Sequence, residues 1–301
     1  MCDIINIPYV DGDKRIGSAF NHLFSVISQT ENCNSNTVTW NFKGSTFFHP
    51  FFLTPLALYK KSCNKKIICI NKSKSIDSYF NLVHFEELLH IDKDTDLENS
   101  LKDYLNKSYT PICSFDLCSN NVDGLQTIIQ SIIEKQSKAD AQIKTPLSYF
   151  LGELICNISQ HSQSNIGYIS SQYLQREECI DVCIADNGIT IYGSYVKANK
   201  YMDEIGDNEV TALIKANEGY STKELPDPEK RGYGIISSKN MLVDGMKGAF
   251  FMLSGGAFHR HDKDGSVFIK LPPNIVWNGT IILMRIPIHV DDTFDYQKYI
   301  Q

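Results

Sequence analysis

Apolar side chains recur at helical spacing over residues 14–30, at Ile16, Phe20, Leu23, Phe24 and Ile27, and positions 37–42 then alternate as in a strand. An apolar stretch with two prolines (47–59) follows. Beyond it lie a strand pattern at 66–71, a helical pattern at 79–89, a strand at 109–117, a turn at 119–124 and a helix at 126–137. The pattern then predicts a helix over 145–162, with Thr145 able to cap it and Pro146 suited to its first turn. Strands are expected at 167–174 and 179–185, ahead of a long polar section broken by Gly193, Gly206, Gly219, Pro226 and Pro228. Another helix should run from the glycine turn at 231–234 to about 243, and strands at 249–253, 266–271 and 279–287 close the chain. There is no internal repeat and no low-complexity tract.

This order implies an α/β (α+β) protein in two parts. A small α/β domain is expected over 1–125, a connecting helix or linker over 126–144, and a second domain over 145–301. Composition agrees, with 301 residues, 42% of them hydrophobic and 21% charged, enough for a sizeable core. The formal net charge is -6 and the lysines are scattered, so nucleic acid is not expected as a partner. Nine cysteines, an odd number without zinc-knuckle spacing, fit reduced thiols in the cytoplasm. No apolar run approaches the ~20 residues of a membrane span, and no membrane partner is expected.

Three short motifs carry candidate chemistry. In Glu153-Leu-Ile-Cys-Asn157-Ile-Ser-Gln-His161 three polar residues recur every fourth position, sharing an arc of roughly 80° on one side of a helix. A carboxylate there can serve as a general base, and an amide oxygen can ligate magnesium. Taken alone, the same pattern also fits an amphipathic helix with a solvated face. Asp186-Asn187-Gly188 ends a strand, where a carboxylate can accept from an exocyclic amine and a glycine admits a flat ring, although such a tripeptide is also a common turn. Lys230-Arg231-Gly232-Tyr233-Gly234 opens a helix, where exposed amides and the helix dipole favour phosphate; it is equally an ordinary glycine turn.

In their order and spacing these motifs make residues 145–290 resemble the GHKL ATPase family of histidine kinases, Hsp90, type II topoisomerases, MutL and the anti-sigma-factor serine kinases. The resemblance implies a two-layer α/β sandwich (the Bergerat fold) with helices on one face of a mixed sheet, binding ATP and Mg2+. It makes Glu153 the base, Asn157 the magnesium ligand, Asp186 with Gly188 the adenine site, and Gly232 and Gly234 the phosphate cradle. It also assigns His161, Lys223 in Gly219-Tyr-Ser-Thr-Lys223, Arg231 and Thr280 to nucleotide contacts. Two departures stand out. Thr190 replaces the family's next glycine, and Lys144-Thr-Pro-Leu147 lacks the phosphoacceptor histidine, which argues against two-component autophosphorylation. Residues 35–90 are similar to STAS domains, the anti-sigma-factor antagonists, but place Pro50, without a hydroxyl, at the phosphoacceptor position. The implied protein is an anti-sigma or serine-kinase-like regulator acting on another regulatory protein, with a homodimer left open. A nucleotide-gated interaction module, a weak ATPase without transfer to protein, and a scaffold with accidental motifs are the alternatives. A strand-then-turn stretch holding His259, His261, Asp262 and Asp264 reads as a polar hairpin tip, with a metal pair as its rival.

Overall fold

Val38 and Trp40, two positions apart on one strand and fully buried, anchor the first of two compact units. The computed structural model describes residues 3–8, 16–45, 48–117, 121–222 and 233–300. The first unit holds residues 1–89 with 273–275, and the second holds 90–272 with 276–301.

The first unit runs β1 (Asp3–Asn6), α1 (Ile16–Asn32), β2 (Thr37–Asn41), α2 (Pro50–Ser62), β3 (Lys66–Ile70) and α3 (Lys74–Leu82). Its three strands pair in parallel in the order β1-β2-β3. Phe42 meets Phe80 and Phe48 edge-on, with centroids 5.1 and 5.7 Å away, giving an aromatic core. The helix α2 starts at Pro50, inside the apolar stretch, because the His49 ring accepts from the Phe51 N–H (3.1 Å) and Pro50 needs no donor in the first turn. Pro50 is itself buried.

An eight-stranded sheet organises the second unit. In chain order its elements are β4 (Leu89–Ile91), α4 (Leu97–Leu101), β5 (Cys113–Asp116), α5 (Val122–Ser137), α6 (Ala141–His161), β6 (Ile166–Leu174) and β7 (Cys179–Asp186). There follow α7 (Ile191–Ala198), α8 (Met202–Ile205), α9 (Glu209–Asn217), α10 (Tyr233–Asn240), a π turn at Met241–Gly245, β8 (Ala249–Gly255), β9 (Ala257–Asp262), β10 (Gly265–Lys270) and β11 (Trp277–Pro287). The spatial order is β10-β9-β8-β11-β7-β6-β5-β4.

Several expectations are corrected. The sheet is not mixed in this stretch but antiparallel at every pair from β10 to β5. The units divide between 89 and 90, not across 126–144, because β5 pairs with β6 (Cys113 opposite Ile169) and so ties residues before 125 into the second sheet. The expected linker contains part of α5, whose Leu125, Ile129, Ile132 and Ile133 are buried. The helix α6 begins at Ala141, so Pro146 lies one turn inside it and leaves only the Gln142 carbonyl without its helical N–H. The polar section after β7 is not loop but α7, α8 and α9, packed around Tyr195, Ile205 and Ala212.

All of β7 is buried, including Asp181. Arg285, directly opposite on β11, meets its carboxylate with two bonds of 2.8 Å, from Nε to Oδ1 and from Nη2 to Oδ2. Removing one partner strands the other charge in the interior. Arg285→Ala is expected to lower unfolding free energy by about 3–5 kcal/mol in urea titrations, whereas the apolar pair Asp181→Leu with Arg285→Met should cost much less.

Candidate functional site

The apolar stripe of α6, including Leu147, Leu151, Leu154 and Ile158, is buried and fixes the rotation of the helix. That rotation turns Glu153, Asn157 and His161, each half-buried, to a neighbouring sector. A cavity of about 700 Å3, counting its open mouth, lies beside this helix; Asn157, His161, Asp186 and Thr280 all line it, together with Met252, Ile282 and Ile235. Its walls are mostly apolar with a few polar groups, the character of a small-molecule site.

Asp186 ends β7 with 4% of its surface exposed. Burial pushes its pKa up to about 7, against the backbone N–H groups of Gly188 and Thr280, which donate to the carboxylate and pull the other way. The Gly188 N–H reaches Oδ1 at 2.8 Å. Two glycines make this geometry possible. A Cβ on Gly188 would lie 1.9 Å from the Ser162 carbonyl oxygen at the end of α6, and one on Gly279, whose φ is +86°, would lie 2.4 Å from the Asp186 carbonyl oxygen. The Ile189 N–H also donates to that Ser162 carbonyl (2.7 Å), stapling the turn after β7 to the helix end.

Gly234, near the start of α10, faces the same helix. A Cβ there would lie 2.2 Å from Glu153 Oε2 and 3.3 Å from Asn157 Nδ2. The Asn157 Nδ2 atom is buried without a hydrogen-bond partner, an unmet polar group at the cavity wall. The orphan Asn157 donor suits an acceptor oxygen such as that of a phosphate, and the glycine at the helix start leaves room beside it. Lys223, Arg231 and Gly232 lie outside the described residues. Of the expected site residues, Asn157, His161, Asp186 and Thr280 line the one cavity, while Gly188 bonds to Asp186 and Gly234 lies against Glu153 and Asn157.

Further polar residues join them without having been read from the sequence. His161 Nδ1 lies 2.9 Å from Thr222 Oγ1, which lies 3.0 Å from Ser194 Oγ, so the end of α6 is bridged to α7. Ser254 accepts from the Ile191 N–H (2.9 Å) and donates to the Gly279 carbonyl (3.0 Å), joining α7 to β8 and β11. The signals that could have found these helices are their caps, Thr190 accepting from the Gly193 N–H and Asn208 accepting from the Val210 N–H, both at 2.9 Å. Thr190, which stands where the family's next glycine would be, is thus a helix cap.

His259 and His261 share one face of β9, as expected for alternate positions, but His259 is not at the hairpin tip. It is fully buried, its ring stacked on Phe268 at 4.0 Å and its Nε2 3.0 Å from Ser266 Oγ. Burial pushes its pKa down to about 3. Among the described residues no group of three or more His, Cys, Asp or Glu could hold a metal ion, and no helix is long and apolar enough to cross a membrane.

Glycine substitutions should separate structure from ligand contact. Gly188→Ala meets rigid backbone and is expected to cost several kcal/mol in urea unfolding, while Gly234→Ala meets the movable end of Glu153 and should leave the midpoint nearly unchanged. For Asp186 the folded pKa lies above the unfolded value, so its contribution is complete below about pH 4 and is lost as pH rises through about 7. Wild-type stability should therefore fall, relative to Asp186→Asn, by on the order of a few kcal/mol between pH 4 and 8, read from urea midpoints across that range.

No family model, curated protein or solved structure matches the chain, so its chemistry is read from its own residues.

Proposed function

We propose that the second unit binds ATP with magnesium in the cavity beside α6, as a signalling protein of the histidine-kinase-like ATPase type acting in the cytoplasm on another regulatory protein. One observation carries this reading: a buried strand-end carboxyl and an unsatisfied helix amide line a single cavity, and a glycine at a helix start lies directly against that amide. Bound ATP would supply the transferable phosphoryl group, with magnesium offsetting its charge. Asp186 would accept from an exocyclic amine of the base, an interaction that favours the ionised carboxylate and opposes the effect of burial. Thr280, which shares a 3.1 Å contact with Ser254 Oγ, would help fix the base. Asn157 would hold the metal through its amide oxygen. Glu153 would accept the proton of a serine hydroxyl or a water. The cavity's apolar walls would exclude bulk water from the base. On this reading the second unit is a Bergerat-type sandwich, and the first, STAS-like by resemblance and with Pro50 where a hydroxyl would be needed, is a docking element.

A second reading rests on the bridge of His161, Thr222 and Ser194, which ties the segment after β7 to the end of α6. Nucleotide binding would then reposition α7 to α9 and alter a partner surface without phosphoryl transfer.

Calorimetry should record magnesium-dependent ATP binding at one site per chain. Asp186→Asn is expected to weaken it about ten-fold or more, the cost of one charged hydrogen bond, and Asn157→Ala to remove its magnesium dependence. Radiolabelled ATP then separates the outcomes: label on protein indicates a kinase, released phosphate an ATPase, and neither a switch. Absent binding, with Asp186→Asn indistinguishable from wild type, defeats the proposal.

A further inference from the structure

The two ends of the eight-stranded sheet are finished differently. At one end β4 is only three residues long, a short edge of the kind that discourages further pairing. At the other end β10 presents six residues, Gly265–Lys270, in unbroken antiparallel register with β9 from Gly265 opposite Asp262 to Lys270 opposite Ala257. Edge strands are usually protected by a central charge, a proline, a bulge or a covering segment. Between its ends β10 carries no charge, proline or bulge, and among the described residues α9 packs against it without burying Val267 or Ile269. Phe268 tucks against His259, but the other five residues are exposed, among them Val267 at 40% and Ile269 at 44%. Those two apolar side chains point to one face of the strand, two positions apart.

We propose that β10 is the surface through which two copies of this chain associate, pairing antiparallel about a two-fold axis at Val267. The register follows from the strand's own sequence. Centred on Val267, each Lys270 stands opposite the Asp264 of the other copy, twice per dimer. Ile269 then stands opposite Gly265, which has no side chain to crowd it, and the two Val267 side chains meet on the axis. Centring the pair on Phe268 sets Lys270 opposite Ser266, and centring it between the two residues sets Lys270 opposite Gly265; neither matches opposite charges. Asp264 is held by the adjacent Lys263 at 2.7 Å, but both side chains are largely exposed, and such a contact exchanges at little cost. A self-complementary strand of this kind selects a second copy over an unrelated partner. A contact of six residues on each side is small beside the ~20–30 residues a side of a standard interface, so the dimer is weak and depends on concentration.

Sedimentation velocity of the full chain over a concentration series up to about 200 μM tests this, a range that reaches weak association. A monomer–dimer equilibrium is expected, and Val267→Lys should abolish it. Asp264→Lys and Lys270→Asp each set like charges opposite one another and should weaken the dimer about ten-fold. The double variant restores opposite charges and should recover the wild-type constant. Circular dichroism checks that each variant is folded, and the charge exchange decides the matter on its own if Val267→Lys is not. A chain that stays monomeric throughout, a dimer indifferent to Val267→Lys, or a double variant no better than the single ones overturns the proposal.

Discussion

The geometry around the cavity depends on one buried carboxyl. Asp186 stands at the last position of β7, where the strand stops pairing and the chain must turn under the end of α6. Backbone donors from two directions, Gly188 just downstream and Thr280 on the neighbouring strand, hold it there. Each donor can approach because a glycine removes a side chain that would collide, Gly188 against Ser162 and Gly279 against Asp186 itself. Desolvation makes the ionised form costly, so the site carries an unfavourable charge that a donor from outside the protein would relieve.

Local periodicity explains which parts of this arrangement were legible beforehand. The polar face of α6 keeps its helical pattern in sequence, β7 shows as a short, mostly apolar run, and Asp186-Asn187-Gly188 marks the end of the strand. Long-range pairing was not legible. Nothing near residue 113 announces that it will lie beside 169, so the division into units was misplaced. Strand direction depends on the same non-local choices, which is why the sheet proved antiparallel where a mixed one was expected. The helices α7 and α9 are short, and their stability comes from caps and from packing around Tyr195, terms that a polar-looking stretch hides.

That insert has a physical character of its own. Tyr195 packs edge-on to Tyr201, centroids 5.9 Å apart, and its hydroxyl donates to the Tyr220 carbonyl at 2.6 Å. A segment with its own buried cluster moves as a body when it moves, because its internal contacts are kept while only the bonds at its margins change. Those margins include polar bonds from Thr222 to His161, from Ile191 to Ser254, from the Gly256 N–H to Glu209 and from Lys239 to the Asn217 carbonyl, beside the packing of α9 on β9 and β10.

The position of β11 within the sheet has a consequence for synthesis. Although it follows all the other described strands in sequence, it pairs with both β7 and β8, filling the space between them. While a ribosome is still making residues 277–287, β7 therefore has an open apolar edge and β8 lacks its inner neighbour. The nascent second unit cannot complete its central hydrogen-bond ladder until residues 277–287 have emerged. Truncation just ahead of β11 would leave a split sheet with two adhesive margins, a species prone to aggregate.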